Sequence, residues 1–434
     1  MSPERRSLAG RRVLVTEAGL AQSLAVVRSL AAAGAHVVAG DASARSPAFR
    51  SRHVADRFTY PAAETDPNGA VSAIIAAAER HRVELIIPMI DQLLIPWSQR
   101  PPRAGPVVAM PSAPALEQAR DKAATVAVAA GLGVPVPRTE VVTTVAEAAR
   151  VAAGMRFPLV LKPQYSHQAT ADHPMATFAV AFAADLGSVR RLVGSLEGSC
   201  AVLVQEYVPG TGCCVELLVH EGRPLAAFQH RRLREVPISG GMSSFRESVD
   251  LDPDLLGHAS ALLEAIEWSG LAMVEFRVGP DGPVLMEING RPWGSLALPV
   301  RSGMDFPRRL AELYLDGPPP PSQPVATEYR RGVRVRNLEL ELRWIAAVLR
   351  QKAPHRFAPL PPRGAALRVA LGLLWPGNDF DVQVVNDPRP GVTDLGRALG
   401  YLARRARDGE PSRAPSAQTG GLAGPVRSGD RRLP

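Results

Sequence analysis

The sequence predicts an α/β protein of several units, and three observations carry that expectation. The chain opens with Arg12–Thr16 (RVLVT) as a strand, Leu24–Ala33 as a helix ended by Gly34, and His36–Ala39 as a second strand. Gly270 to Gly294, GLAMVEFRVGPDGPVLMEINGRPWG, holds two mostly apolar runs around Gly279-Pro280-Asp281-Gly282, which is turn chemistry, so it reads as a β-hairpin. Proline-rich pieces at Gln99–Pro114, Val134–Pro137 and Pro318–Pro321 separate the units.

The opening unit is Rossmann-like, but it lacks G-x-G-x-x-G and supports no dinucleotide site. Asn68–His81 reads as a helix with Val71, Ile74, Ile75 and Ala78 on one face, and Val83–Ile87 as a buried strand. Asp91 follows at its carboxyl end, where ligands bind open α/β sheets; a helix N-cap is the expected role and a ligand the alternative. One helix is expected over Ala115–Ala130, with Lys122 inside it. Thr144-x-x-Glu147 is a capping box opening a helix to Ala153. Phe157–Leu161 is a strand ending in Lys162-Pro163, and a lysine leaving a buried strand is placed to meet phosphate. Tyr165–Ala176, with His167, Asp172 and His173, reads as irregular. Ala201–Gln205 is a strand entering a hinge, Glu206-Tyr207-Val208-Pro209-Gly210. Strands at Cys214–His220 and Leu225–His230 precede a basic cluster, His230–Glu235, and a flexible loop from Gly240 through Ser244. Helices are expected at Asp252–Trp268, Pro307–Leu315 and Leu338–Gln351, with Tyr314, Trp344 and Trp375 in the core.

The hairpin carries the chemistry. With its centre near Asp281, Glu275 lies opposite Glu287, their Cβ atoms roughly 5 Å apart. Asn289 shares the face of Glu287. Opposed carboxylates repel, and two of them with an amide oxygen suit a hard cation, which takes oxygen ligands.

Composition narrows the classes. The chain has 434 residues, 46% hydrophobic and 21% charged, an ordinary enzyme-like balance. Cys200, Cys213 and Cys214 make no disulfide framework or zinc spacing and fit a reducing, cytoplasmic setting. Glu17 interrupts the run after the N-terminal arginines, which excludes a signal peptide, and no apolar run reaches the roughly 20 residues of a membrane span. Half of the +8 net charge sits beyond Tyr401, where seven arginines face three acids in a Gly/Pro/Ser-rich stretch that reads as disordered. With aromatics at 5%, no nucleic-acid surface is expected.

Taken together, Glu275, Glu287-x-Asn289 and Gly290-Arg291 make the chain resemble the ATP-grasp superfamily, and within it the carboxylate–amine ligases, over roughly residues 10–316. The resemblance implies a Rossmann-like N-terminal domain (1–112), a two-lobed ATP-grasp fold of α+β type (lid and linker helix 113–204, catalytic lobe 205–316), a C-terminal region (317–405) and a basic tail (406–434). It implies Mg²⁺, with Mn²⁺ as a substitute, on Glu275, Glu287 and Asn289. ATP phosphates would meet Lys122 and Lys162, and adenine would meet Gln205-Glu206-Tyr207-Val208. Arg291 would bind the substrate carboxylate or acyl phosphate, and Arg231 and Arg234 an anionic group. The implied activity joins a small-molecule carboxylate to an amine through an acyl phosphate, releasing ADP and phosphate, with no membrane partner and a homodimer left open. Two departures stand out: Pro163–Ala176 has no glycine where relatives carry a glycine-rich phosphate loop, and no ribose contact is assigned past the hinge. A nucleotide-binding regulatory or scaffold protein without turnover is the rival class, and a carbamoyl-phosphate- or biotin-carboxylase-like activity the rival reaction.

Overall fold

A computed structural model describes residues 7–100, 105–351, 360–375 and 377–407. The N-terminal unit comprises β1 (Arg12–Val15), α1 (Ala21–Ala32), β2 (His36–Asp41), β3 (Asp56–Thr59), α2 (Pro67–Arg80), β4 (Leu85–Ile87), α3 (Asp91–Ser98) and β5 (Val107–Val108). Its sheet is parallel throughout, in the order β3-β2-β1-β4-β5. The order reverses between β1 and β4, so their carboxyl-end loops diverge and leave a crevice.

The single helix expected over Ala115–Ala130 is two, α4 (Ala113–Arg120) and α5 (Lys122–Gly131). Asp121 breaks it: its extended backbone caps α5, its carboxylate accepting from the amides of Ala123 and Ala124. Lys122 therefore stands at the first position of a helix, not on a mid-helix face.

A second unit holds β6 (Thr139–Val142), α6 (Val145–Ala153), β7 (Leu159–Pro163), β8 (His167–Gln168), β9 (Ala176–Thr177), β10 (Ala181–Ala183), α7 (Leu186–Gly194) and β11 (Val202–Glu206). Its antiparallel sheet runs β10-β7-β11-β6, and the capping box of Thr144 and Glu147 is present. The stretch expected to be irregular folds back as the β8–β9 pair.

The largest sheet is built from β12 (Thr211–His220), β13 (Arg223–Val236), β14 (Met242–Ser248), β15 (Gly270–Gly279) and β16 (Gly282–Asn289), with α8 (Pro253–Ala265), α9 (Ala297–Ser302) and α10 (Phe306–Asp316) beside it. Ser243 and Ser244, expected in a flexible loop, lie in β14, and Ser244 is fully buried. One face packs Val215, Leu217, Val274 and Phe276 against α8; the other carries Cys214, Leu218, Phe228 and Met273 into a core shared with β1 and α1.

The C-terminal region adds β17 (Arg334–Arg336), α11 (Leu338–Arg350), α12 (Arg363–Leu373), β18 (Asp379–Phe380) and α13 (Pro388–Arg407). β17 and β18 extend the large sheet to the order β16-β15-β12-β13-β14-β17-β18. The chain then returns to the N-terminal unit: Asp387 accepts from Arg28 and from Ser51, and Val382 packs with Ala18, Leu24 and Phe49. Trp344 is core as expected, but Trp375 is 75% exposed. The tail expected from residue 406 starts inside α13, and its remainder, 408–434, lies outside the described residues. Among the described residues no helix is long and apolar enough to cross a membrane.

Candidate ATP- and metal-binding site

The hairpin register places Glu275 directly opposite Glu287. A bulge makes it so. Phe276 pairs with Leu285 and Glu275 with Glu287, leaving Met286 as the extra residue. In a regular ladder Glu287 would oppose Val274 and point with Leu285 into the apolar face, sending Ile288 to the other side. The bulge turns it onto the same side as Glu275 and also frees the Met286 carbonyl, which accepts from Lys162 Nζ at 3.3 Å.

Asn289 completes the face, its amide donating to Glu275 at 3.0 Å and to Glu287 at 3.3 Å. Burial raises the Glu275 carboxyl; Arg232 opposes that shift and Glu287 adds to it. Among the described residues no group of three or more His, Cys, Asp or Glu side chains is arranged to hold a metal. The set here is instead two carboxylates, oxygen donors suited to Mg²⁺, beside an amide whose NH2 faces them and whose oxygen would serve once the amide turned over. Mg²⁺ prefers one or two protein carboxylates with the rest of its shell from phosphate and water. On that chemistry the residues fit the ion.

Two lysines converge on the carboxylates from outside the large sheet. Lys162, 8% exposed at the end of β7, has its ammonium pKa lowered by burial, with Glu287 and then Glu275 holding it up. Burial also lowers Lys122, Glu287 again being its strongest opposing charge. Lys122 Nζ donates to Ser166 Oγ at 2.9 Å.

Arg291 meets the N-terminal unit. Its Nε donates to Asp91 Oδ2 at 3.1 Å, joining the end of β16 to the start of α3. Asp91 is therefore not an N-cap; Ile90 holds that position, and the carboxylate faces Arg291. Burial works against Asp91 ionising, but Arg291, His167 and Arg120 prevail and keep its pKa below the ordinary value. His167 belongs to the same cluster. Burial pushes it down to about 4, Asp91 opposing and Arg291, Lys122 and Arg120 assisting, so it is neutral at pH 7. Its Nδ1 is 3.0 Å from Thr177 Oγ1, whereas neighbouring Gln168 turns away to the Ser199 carbonyl.

Arg231 does not join the site. It pairs with Cys213 across the sheet, on the α8 side, and binds Glu247 at 2.6 Å. Arg234 is also elsewhere, bound to buried Glu341 and stacked on Trp344. Strand alternation brings Arg232 instead onto the Glu275 side, 2.5 Å from that carboxylate and 3.2 Å from Glu235, which also holds Arg277. Counting by two from His230, which faces Cys214, was the signal that separates Arg232 from Arg231. Below the loop bearing Arg291, buried Glu216 accepts from Ser295 at 3.3 Å and sits 2.9 Å from buried His230, an arrangement that no motif announced.

The hinge residues lie at the end of β11. Gln205 is buried and donates to Thr139; the Glu206 amide is taken by the Arg138 carbonyl and the Tyr207 amide by that of Pro158. Val208 is thus past the sheet.

Residues 199–341 match the family model described as ATP-grasp in the biosynthetic pathway with Ter operon. The fold is similar to that of N5-carboxyaminoimidazole synthetase from Staphylococcus aureus, with TM-score 0.57 at 12% identity, covering 80% of this chain and 88% of that one. It is similar to L-amino acid ligase from Bacillus licheniformis, with TM-score 0.51 at 14% identity over 71% and 74%. It is also similar to the biotin carboxylase domain of Hydrogenobacter thermophilus 2-oxoglutarate carboxylase, solved with MgADP, ADP and bicarbonate, with TM-score 0.56 at 15% identity over 75% and 73%. No curated protein matches the sequence.

Proposed function

We propose, from the ATP-grasp fold and carboxylate–amine-ligase likeness that this chain carries, that it is an ATP-dependent ligase joining a carboxylate to an amine through an acyl phosphate. One observation carries the reading: two opposed carboxylates and an amide meet Lys162, buried at the end of β7 in the second unit, and half-buried Lys122 at the start of α5. Phosphoryl transfer asks for positioning and charge neutralisation, and this cluster supplies both.

In this reading Glu287, Glu275 and Asn289 hold Mg²⁺, which would neutralise and orient the ATP phosphates. Lys162 and Lys122 meet phosphate oxygens, and Gln205 through Val208 line the adenine. The second sheet is the lid, with Ser166 and His167 taking the place of a glycine loop. The parallel N-terminal sheet is a Rossmann-like domain whose crevice receives substrate beside Arg291. Asp91 stands where a donor carboxylate would sit, and substrate would displace it from the Arg291 fork. The acid attacks the γ-phosphorus, ADP leaves, and the amine then displaces phosphate from the acyl phosphate. Lid closure would exclude the water that hydrolyses that intermediate. Catalysis by the basic cluster would fall to Arg232 at the metal face, not Arg231.

A second reading, nucleotide binding without turnover, draws on the Arg232–Glu275 ion pair, which competes with a cation for that carboxylate. A screen for ADP release dependent on both an acid and an amine, with hydroxylamine trapping the acyl phosphate as a hydroxamate, separates the two. ATP binding with no acid-dependent ADP release across the screen favours the second.

A further inference from the structure

We propose that α12 and the end of α11 form a docking face for an anionic lipid bilayer. α12, RGAALRVALGL, buries Ala366 and Val369 against Trp344 and Val348. Leu367 and Leu371 on α12 face out, as do Leu374, which caps it, and Trp375 just beyond it. Leu367 is 62% exposed, Leu371 60%, Leu374 81% and Trp375 75%. A spacing of four puts Leu367 and Leu371 on one stripe of the helix, and Leu374 and Trp375 follow at its C-terminal end. Leu349, half exposed at the end of α11, adjoins the stripe, because its carbonyl accepts from Arg363 at the start of α12. A cluster of exposed large apolar groups on one helix is a binding surface, since scattered single ones are what an ordinary surface carries.

The charges beside it choose the occupant. Arg350, Arg363 and Arg368 are exposed, and α12 contains no acidic residue. The carboxylates nearest in sequence are engaged elsewhere: Glu339 with Arg343, Glu341 with Arg234 and Arg336, and Asp379 with Arg301. A second copy meeting this face about a two-fold axis would set arginines against arginines. An anionic bilayer complements both features: leucines and tryptophan enter the headgroup–acyl boundary while guanidinium groups pair with lipid phosphates. One helix of 11 residues gives reversible, peripheral attachment and no span.

The test is co-sedimentation of the full chain with vesicles of phosphatidylcholine alone or with a third phosphatidylglycerol. Wild type should sediment with the anionic vesicles, its tryptophan emission shifting to the blue, and should be released by 1 M salt. Two variants address the two contributions: Leu367→Ser/Leu371→Ser/Trp375→Ser, and Arg363→Glu/Arg368→Glu. Each should lower the bound fraction at least tenfold with an unchanged melting temperature and unchanged ATP affinity. Wild type failing to bind anionic vesicles would overturn the proposal. So would undiminished binding in both variants, or a wild-type dimer that the serine variant dissolves with no vesicle binding.

Discussion

Replacing Glu287 by glutamine removes one charge while keeping the side-chain volume, and the structure lets its effect be divided. Glu287 faces Glu275 across the bulged pair, so neutralising it relieves a like-charge repulsion of about 0.2–1 kcal/mol. It is also the strongest opposing charge on both Lys162 and Lys122, though it bonds to neither, and losing an unbonded attraction of that kind costs about 1–3 kcal/mol at an effective dielectric constant of about 20. The two oppose each other, leaving a net destabilisation on the order of 1 kcal/mol. That corresponds to a shift of about 2–4 °C in melting temperature for a large domain. Turnover has no such compensation. Removing one preorganised electrostatic contact to a phosphoryl-transfer transition state costs about 3 kcal/mol, roughly a hundredfold in kcat. Coupled-enzyme measurement of ADP release, beside calorimetric melting, reads both numbers. Near wild-type turnover in saturating Mg²⁺ would refute the assignment of Glu287, and a collapse in melting temperature would show that its role is structural.

Further outcomes follow from the same geometry. Lys162→Ala should weaken ATP binding at least tenfold by isothermal titration, with folding little changed; unchanged affinity would remove Lys162 from the phosphates. Arg291→Lys should lose turnover nearly as fully as Arg291→Ala while keeping ATP affinity, because an ammonium cannot copy the guanidinium fork; an active lysine variant would refute the role. Glu17, bonded to Tyr60, has its carboxyl pushed up to about 7 by burial, with Tyr60 opposing and Asp41 and Glu64 assisting. A raised carboxyl pKa means that its contribution to stability is full below about 4.5 and is lost as pH rises to about 7. Glu17→Gln should therefore raise the melting temperature more at pH 8 than at pH 5, and an equal gain at both would contradict the shift.

Much of this fold was legible because its signals are local. The β1–α1–β2 unit, the capping box at Thr144 and the Glu275–Glu287 hairpin each follow from periodicity or turn chemistry over a few residues. A centre at Asp281 gives the Glu275–Glu287 register because it stands in for a tighter turn, Gly279 opposite Gly282, plus one extra residue at Met286. The trace of that bulge was present in the spacing of Leu285 and Ile288, which share the apolar face despite lying three apart. Edge strands such as β5, β8 and β18, two residues each, have no periodicity to read. Arg291 and Asp91 are 200 residues apart, and Arg234 is claimed by Glu341, 107 residues on. Such pairings are set by how units dock, which no local pattern encodes. The break at Asp121 was visible in kind, since aspartate is a preferred N-cap, but the alanine-rich run around it outweighed that cue.

The C-terminal region has a mechanical consequence. Its strands extend the large sheet, and its return segment fastens Asp387 to α1 and to Ser51, so the N-terminal sheet and the large sheet are braced at a point far from Arg291. With Arg291–Asp91 and the shared core as further ties, these two bodies form one frame. The four-stranded sheet is joined to this frame through short connections, at Val134–Arg138 and Tyr207–Gly210, and by polar contacts of Lys162 with Met286, Ser166 with Lys122, and Gln164 with Asp121. A flap hinged at those two connections would be the body that moves against this frame in the proposed reading. Under the proposed function, substrate would then meet a site whose width the braced frame sets before the flap moves. Turnover, in the same reading, would then depend on the closing that brings Lys162 to the phosphates.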